Sequence, residues 1–111
     1  MSVLYYNEAK VQYPSKGVER RIAYTDNLLV AVLDFTNGPQ SEPDPMHSHP
    51  HEQISYIAEG EIIFFLEGEE PQTLKAGDVF MAPSGKKHCI QLLSRTARLV
   101  DSFSPVREDF L

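Results

Sequence analysis

Residues 46–53 read M-H-S-H-P-H-E-Q, and this stretch decides the architecture that the rest of the chain must fit. In an extended segment, side chains two residues apart point to the same side. His47 and His49 can therefore aim at one point from a single strand. His88 follows a Pro-Ser-Gly turn further along the chain. If His88 alternates inward with Ile90, it enters the same cavity from the opposite wall; the alternative is a surface histidine.

Three imidazoles around one point predict a site for a divalent transition metal ion, with Ni, Zn, Mn and Fe as the candidates. Strand alternation places Gln53 and Ser55 on one face, so the carbonyl oxygen of Gln53 could be a fourth ligand. A neutral oxygen leaves the ion its full charge, which favours an anionic substrate. The alternative is that Gln53 only hydrogen-bonds a ligand. His51 follows Pro50, and we expect it in a loop or behind the ligands.

Size and charge limit the class of protein. We expect the 111 residues to form one domain, spanning 1–111. Cys89 is the single cysteine and is expected to be a buried, inert thiol, so no internal disulfide can form. The net charge of −6 argues against nucleic acid, and the pairs Arg20-Arg21 and Lys86-Lys87 are interpreted as solvated surface. No apolar run is long enough for a signal peptide or membrane span, so we expect a cytoplasmic protein without membrane association.

Short segments rich in β-branched and aromatic residues alternate with Gly, Pro and Asn turns, which predicts an all-β sandwich or barrel. No window shows a helical period. The predicted strands are Val3–Tyr6, Val18–Thr25, Leu28–Phe35, Gln53–Ala58, Ile62–Leu66, Val79–Ala82, Cys89–Leu92 and Ala97–Phe103.

The run from Leu28 to Leu33 is apolar on both faces of its predicted strand. One face should line the interior of the barrel. The other face needs a cover, and a second copy of the chain is the simplest one. The run therefore predicts a homodimer.

The last predicted strand places a carboxylate among apolar side chains. Leu99, Asp101 and Phe103 share one face, and burying an unpaired charge is costly. Arg98 lies on the other face, whereas Arg107 could fold back to the mouth of the cavity. One interpretation makes Asp101 a proton carrier and Arg107 a clamp for a substrate carboxylate. The other is a structural ion pair between the two.

These residues resemble the two motifs of the cupin superfamily. His47, His49, Gln53 and Gly60 follow the spacing of the first motif, and the second is matched by Gly77, Pro83, Gly85 and His88. Ser41 replaces the first glycine of motif one, Gln53 stands where glutamate is usual, and Leu92 replaces the final asparagine of motif two. The resemblance implies a single-domain cupin, a jelly-roll barrel also called a double-stranded β-helix.

A narrower resemblance joins residues 46–53 to the tail D-S-F-S-P-V-R-E-D-F-L at 101–111. Both are similar to small cupins of the pectin-degradation type, which open the ring of 4,5-unsaturated monouronates from pectin or alginate. The resemblance implies a metal held by His47, His49, Gln53 and His88. It also implies catalytic Asp101 and Arg107, with Phe103 and Arg107 contacting a small anionic sugar acid.

Other functions fit the same residues. Three histidines and an open position also suit an Fe(II)-dependent dioxygenase acting on a small molecule, for which oxygen consumption would be diagnostic. A non-catalytic sensor for a small acid would bind its ligand without forming product. A metal-dependent lyase acting on organosulfur or carboxylate compounds is a third alternative.

Overall fold

A computed structural model describes residues 2–111 as an almost entirely β structure. The helical residues in this range form two single turns of 3-10 helix, Tyr6–Glu8 and Glu108–Phe110, and neither approaches the length or apolarity of a membrane span. The strands in chain order are β1 (Gln12–Ser15), β2 (Val18–Tyr24), β3 (Leu29–Phe35), β4 (Glu52–Glu59), β5 (Glu61–Leu66), β6 (Gln72–Lys75), β7 (Val79–Ala82), β8 (His88–Leu92) and β9 (Ala97–Ser104).

The strands form two antiparallel sheets, which confirms the predicted all-β jelly roll. The larger sheet has the order β1-β2-β3-β9-β4-β7, and the smaller has the order β6-β5-β8. Pairing of β3 with β9 and of β9 with β4 brings together segments far apart in the chain. The tail of the chain is thereby placed beside the histidine-rich stretch.

The hydrophobic core lies between the two sheets. Ile62 and Phe64 from the small sheet pack against Ile57, Phe80 and Leu99 from the large one, and the rings of Phe64 and Phe80 stack with centroids 4.1 Å apart. A second cluster around Leu29, Ala31 and Phe103 fills the other end of the large sheet. Apolar side chains at alternate positions of each strand produce this arrangement.

Seven of the eight predicted strands are present, and one is wrong. Residues 3–5 are irregular and lead into the turn Tyr6–Glu8. The ring of Tyr6 lies 4.0 Å from the guanidinium carbon of Arg21, so this aromatic packs on the sheet rather than joining it. Strands β1 and β6 were not predicted. Both are four-residue strands whose side chains are mostly exposed, and β1 contains Pro14.

Gly60 forms the turn between β4 and β5. Its φ angle is +94°, a region that L side chains rarely adopt. A Cβ atom at this position would lie 2.6 Å from the carbonyl oxygen of Thr96. The positive φ angle and the close approach of the Thr96 backbone therefore explain why the first motif ends in glycine.

Candidate metal centre

Backbone pairing brings the two histidine motifs together. His47 forms an isolated antiparallel bridge with His88, with reciprocal N–O distances of 3.0 and 2.9 Å. His47 and His49 thus lie on an extended segment that pairs with the start of β8, rather than in a regular strand. The ligand nitrogens of these three histidines lie within 4.8 Å of one another. His88 joins the same site from the segment that pairs with His47 rather than from the opposite wall, and its side chain is buried with its ring centroid 4.4 Å from that of His47.

The hydrogen bonds of His49 and His88 leave one nitrogen of each ring available to an ion. Nδ1 of His49 donates to the carbonyl oxygen of His51, and Nδ1 of His88 to that of Lys86, both at 2.9 Å. A neutral imidazole carries one N–H, so Nε2 of each ring keeps its lone pair. Nε2 of His88 is buried without a hydrogen-bond partner among residues 2–111. These residues fit a metal ion, since metal-bound histidines are usually oriented in this way.

Burial also favours the protonation state that a metal needs. Desolvation is the main cause that lowers the pKa of His49 and of His88. Both rings are therefore neutral at pH 7 and do not have to release a proton before binding an ion.

Gln53 lies beside the three histidines, where it could serve as a fourth ligand. It is buried, and its Oε1 is 3.0 Å from Nε2 of His49. Because Nδ1 of His49 carries the ring proton, neither its Nε2 nor Oε1 of Gln53 has a hydrogen. Both atoms can therefore offer a lone pair to an ion. Two ligands at right angles, each about 2.0–2.1 Å from one ion, are about 3 Å apart. The spacing therefore fits two ligands of the same ion.

Asp101 is connected to this group through Ser55. Oγ of Ser55 donates to Oδ1 of Asp101 at 2.6 Å and accepts from Nε2 of Gln53 at 2.9 Å. Burial raises the pKa of Asp101 to about 6, although the hydrogen bond from Ser55 and the positive charges of Arg107 and Arg20 oppose this. A carboxyl group in this range can both accept and release a proton near neutral pH.

Arg107 does not form the alternative ion pair with Asp101. Its Nε and Nη2 donate to the two carboxylate oxygens of Asp109 at 3.0 and 2.7 Å, and its guanidinium lies over the rings of Phe103 and Phe110. Asp109 is two residues away and its side chain is exposed, whereas the side chain of Arg107 is mostly buried. The interpretation of Asp101 and Arg107 as a structural pair is therefore wrong.

Arg20 was wrongly interpreted as solvated surface. It lies on the inner face of β2, its guanidinium carbon is 3.7 Å from the ring centroid of Phe110, and its Nε donates to Oε1 of Gln12. The sequence could have indicated this, because Arg20 is two residues from the apolar Ile22 on the predicted strand. Arg20 and Ile22 therefore share the inner face, and Arg21 lies on the outer one. Among residues 2–111, Arg20 has no carboxylate partner within ion-pair distance.

These side chains surround one cavity of about 330 Å3. Its wall joins the candidate ligands His47, Gln53 and His88 to Asp101 and to an aromatic and cationic rim. The rim residues are Arg20, Phe103, Arg107 and Phe110. A volume of this size suits a small molecule, and the cations at the rim suit an anionic one.

Three other residues behave as expected. Cys89 is buried and burial raises the pKa of its thiol, which is the behaviour of an inert cysteine. His51 lies just before β4 and contacts His49 through its backbone carbonyl. Arg98 lies on the outer face, where it pairs with Asp34.

Comparison with known proteins gives a family match and close relatives. The family model described as "Cupin domain" matches residues 34–103. The chain is 37% identical over 97 residues to the pectin degradation protein KdgF of Dickeya dadantii, covering 86% of this chain and 84% of that protein. It is 41% identical over 51 residues to the dimethylsulfoniopropionate lyase DddQ of Ruegeria pomeroyi, which covers 46% of this chain and 25% of that protein.

A solved structure extends this similarity over the whole fold. The structure of KdgF from Halomonas sp. superposes with a TM-score of 0.87 at 33% identity. The match covers 99% of this chain and 100% of that one. The similarity therefore includes the tail at 104–111, which the family model does not reach.

Proposed function

This chain belongs to the cupin domain family, and we propose that it is an enzyme that opens the ring of 4,5-unsaturated monouronates with the help of a divalent transition metal ion. The product would be the linear 5-keto-4-deoxyuronate. The observation that carries the proposal is the line of hydrogen bonds from Gln53 through Ser55 to Asp101, a partly buried carboxylate whose pKa is about 6. Similarity to the pectin degradation protein KdgF supports the class of substrate.

His47, His49, Gln53 and His88 would hold the metal. When bound, the ion would supply a Lewis acid for the oxygen atoms of the substrate. The cations at the rim would attract the uronate carboxylate. Nε and Nη2 of Arg107 already donate to Asp109, so Arg107 would offer the substrate its positive charge and the remaining edge of its guanidinium. Arg20 has no carboxylate partner among the described residues.

The reaction is an isomerisation in which one proton moves. The anomeric hydroxyl would lose its proton as the C1–O5 bond breaks with its electron pair going to O5, which gives an aldehyde at C1 and an enolate at C5. Asp101 would accept the proton from the hydroxyl and deliver it to C4, which converts the enolate to the ketone. A pKa of about 6 suits both halves of this transfer. Phe103 would form an apolar wall against the sugar ring, because it is buried beside His49 with ring centroids 5.6 Å apart.

The experiment that tests this function follows the absorbance of the conjugated double bond of freshly made unsaturated monouronates. We expect the purified protein with Ni2+, Zn2+, Mn2+ or Fe2+ to accelerate the loss of that absorbance. A chelator should abolish the acceleration, and restored metal should return it. Unchanged decay with metal demonstrably bound would contradict the proposal.

A second candidate is a metal-dependent lyase, favoured by the similarity of 51 residues to the dimethylsulfoniopropionate lyase DddQ. Such an enzyme would use the same ligand group and carboxylate to remove a proton beside a carboxylate and expel a leaving group. Incubation with dimethylsulfoniopropionate followed by detection of dimethyl sulfide separates the two candidates. This second candidate is the weaker of the two, because the match covers 25% of that relative.

We further infer a homodimer joined through the outer face of the large sheet. Two registered rows of side chains cross this face and are mostly apolar. They are Ala23–Val30–Ser102–Ile54–Met81 and Arg21–Val32–Val100–Tyr56–Val79. Ile54 and Met81 are 54% and 60% exposed, which is unfavourable for large apolar side chains that nothing covers. Light scattering should give twice the mass of the chain.

A reducing compartment such as the cytoplasm is the location we propose. Cys89 is the single cysteine and is buried as a free thiol. Such a thiol is usual where disulfides do not form. Fractionation with an antibody against the native protein would test this.

A further inference from the structure

A continuous line of hydrogen bonds joins a ligand position to the proton carrier across two neighbouring strands. Ser55 is the central member and has no exposed surface, so its hydroxyl must find its partners within the protein. It touches Gln53 on its own strand and Asp101 on β9, with which it is registered directly. The proposed mechanism uses both of these neighbours but gives Ser55 no role.

The carboxylate of Asp101 determines which group donates and which accepts in each of these hydrogen bonds. An ionised carboxylate only accepts hydrogen bonds, so the single hydrogen of the Ser55 hydroxyl points to Asp101. The oxygen of Ser55 can then only accept from Gln53, which has to present its amide nitrogen. The amide oxygen of Gln53 is thereby turned toward His49, 3.0 Å from Nε2.

We propose that Ser55 is a positioning residue that selects the oxygen, rather than the nitrogen, of the Gln53 amide for the metal centre. This inference rests on the metal-dependent function proposed above. Divalent ions bind carbonyl oxygen, and the opposite orientation would let the amide N–H2 donate to Nε2 of His49. That hydrogen bond would occupy the lone pair that the metal needs. Ser55 therefore disfavours a metal-excluding state of the ligand group.

The test measures metal affinity, which requires no substrate. Competition with a chromogenic chelator gives the affinity of the purified protein for Ni2+ or Zn2+. Ser55→Ala should weaken it about 10- to 100-fold, the usual effect of removing a group that orients a ligand. Ser55→Thr, which keeps the hydroxyl, should restore most of the loss. Ser102→Ala is the matched control, because Ser102 is a serine on the outer face of the adjacent strand.

A double-mutant cycle separates positioning from general destabilisation. If Ser55 acts through Gln53, then Ser55→Ala should cause no further loss of affinity in a Gln53→Ala background. Unchanged affinity in Ser55→Ala would overturn the proposal. The proposal would also be overturned if Ser55→Ala lowered the metal affinity by the same factor in the Gln53→Ala background as in the native chain.

The native chain offers a second measurement that does not depend on the folding of a variant. In the zinc-loaded protein, the side-chain amide protons of Gln53 should exchange slowly with solvent in NMR spectra, because one of them donates into a buried serine. Fast exchange would overturn the proposal. Since none of these measurements uses a uronate, a failed uronate assay leaves the role of Ser55 to be judged separately.

Discussion

Near the candidate metal centre, the two faces of the large sheet reverse the usual distribution of polar and apolar side chains. On the inner face of β4 and β9, Gln53 and Ser55 are buried and hydrogen-bonded in a line that ends at Asp101. On the outer face of the same strands, Ile54 and Tyr56 are exposed. Buried polar groups and exposed apolar ones are the informative exceptions to the rule of apolar interiors. These exceptions are the reason for proposing chemistry at the inner face and association at the outer face.

The largest effect is expected from removing Asp101, the proposed proton carrier on the inner face. Asp101→Asn should lower kcat about 100- to 10,000-fold, the range for loss of an acid–base group. Metal affinity should remain, because the asparagine oxygen can still accept the hydrogen bond from Ser55. Asp34→Asn is the matched control on the outer face, where Asp34 pairs with Arg98, and it should leave kcat nearly unchanged. Steady-state rates with unsaturated monouronates decide the matter; an active Asp101→Asn would remove the carboxylate from the mechanism.

The same substitution should raise stability, with a dependence on pH that identifies the group. The pKa of Asp101 is about 6 in the folded protein and near 3.8 when unfolded, so the folded state binds more protons between these values. Stability of the native chain should therefore fall as pH rises from about 4 to 6. Asp101→Asn avoids this loss and should be more stable above pH 6 by up to about 3 kcal/mol. Urea unfolding of chelator-treated protein at several pH values measures the difference, which should shrink toward pH 4.

Substitutions on the outer face should change the affinity of the dimer rather than the catalytic rate. In a symmetric dimer each substitution occurs twice in one interface. Ile54→Arg introduces an uncompensated charge there and should weaken the dimer about 100-fold, or about 2.7 kcal/mol. Tyr13→Arg is the control, since Tyr13 is exposed on the edge strand β1. Light scattering over a dilution series measures the change; a monomeric native chain would show that another partner covers this face.

Alternation along single strands was enough to predict which residues share a face. It placed Gln53 with Ser55 and Asp101 with Leu99 and Phe103, and the structure agrees. The hydrogen bond between Ser55 and Asp101 could not be predicted, because it depends on the register of β4 against β9, which are 46 residues apart at this point. Pairing across such a distance is decided by packing of the whole sheet.

Local charge chemistry was the other limit on prediction. Arg107 was expected to reach either substrate or Asp101, yet Asp109 is two residues away and accepts hydrogen bonds from its Nε and Nη2. Strand β6 has an exposed edge pattern that hydrophobic periodicity does not distinguish from a loop. Prediction therefore succeeds where burial imposes a period and fails where solvent permits several partners.

The adjacent arginines Arg20 and Arg21 give the finest comparison of the two faces. Arg20 lines the inner cavity without a carboxylate partner among residues 2–111, whereas Arg21 lies outside and pairs with Glu19 and Asp34. If Arg20 attracts the uronate carboxylate, Arg20→Gln should raise KM about 10-fold, equivalent to about 1.4 kcal/mol, with little change in kcat. Arg21→Gln should leave KM unchanged. Equal KM values in the two variants would assign the carboxylate to the free edge of Arg107, and Arg20 would then serve only to hold Phe110 over the cavity.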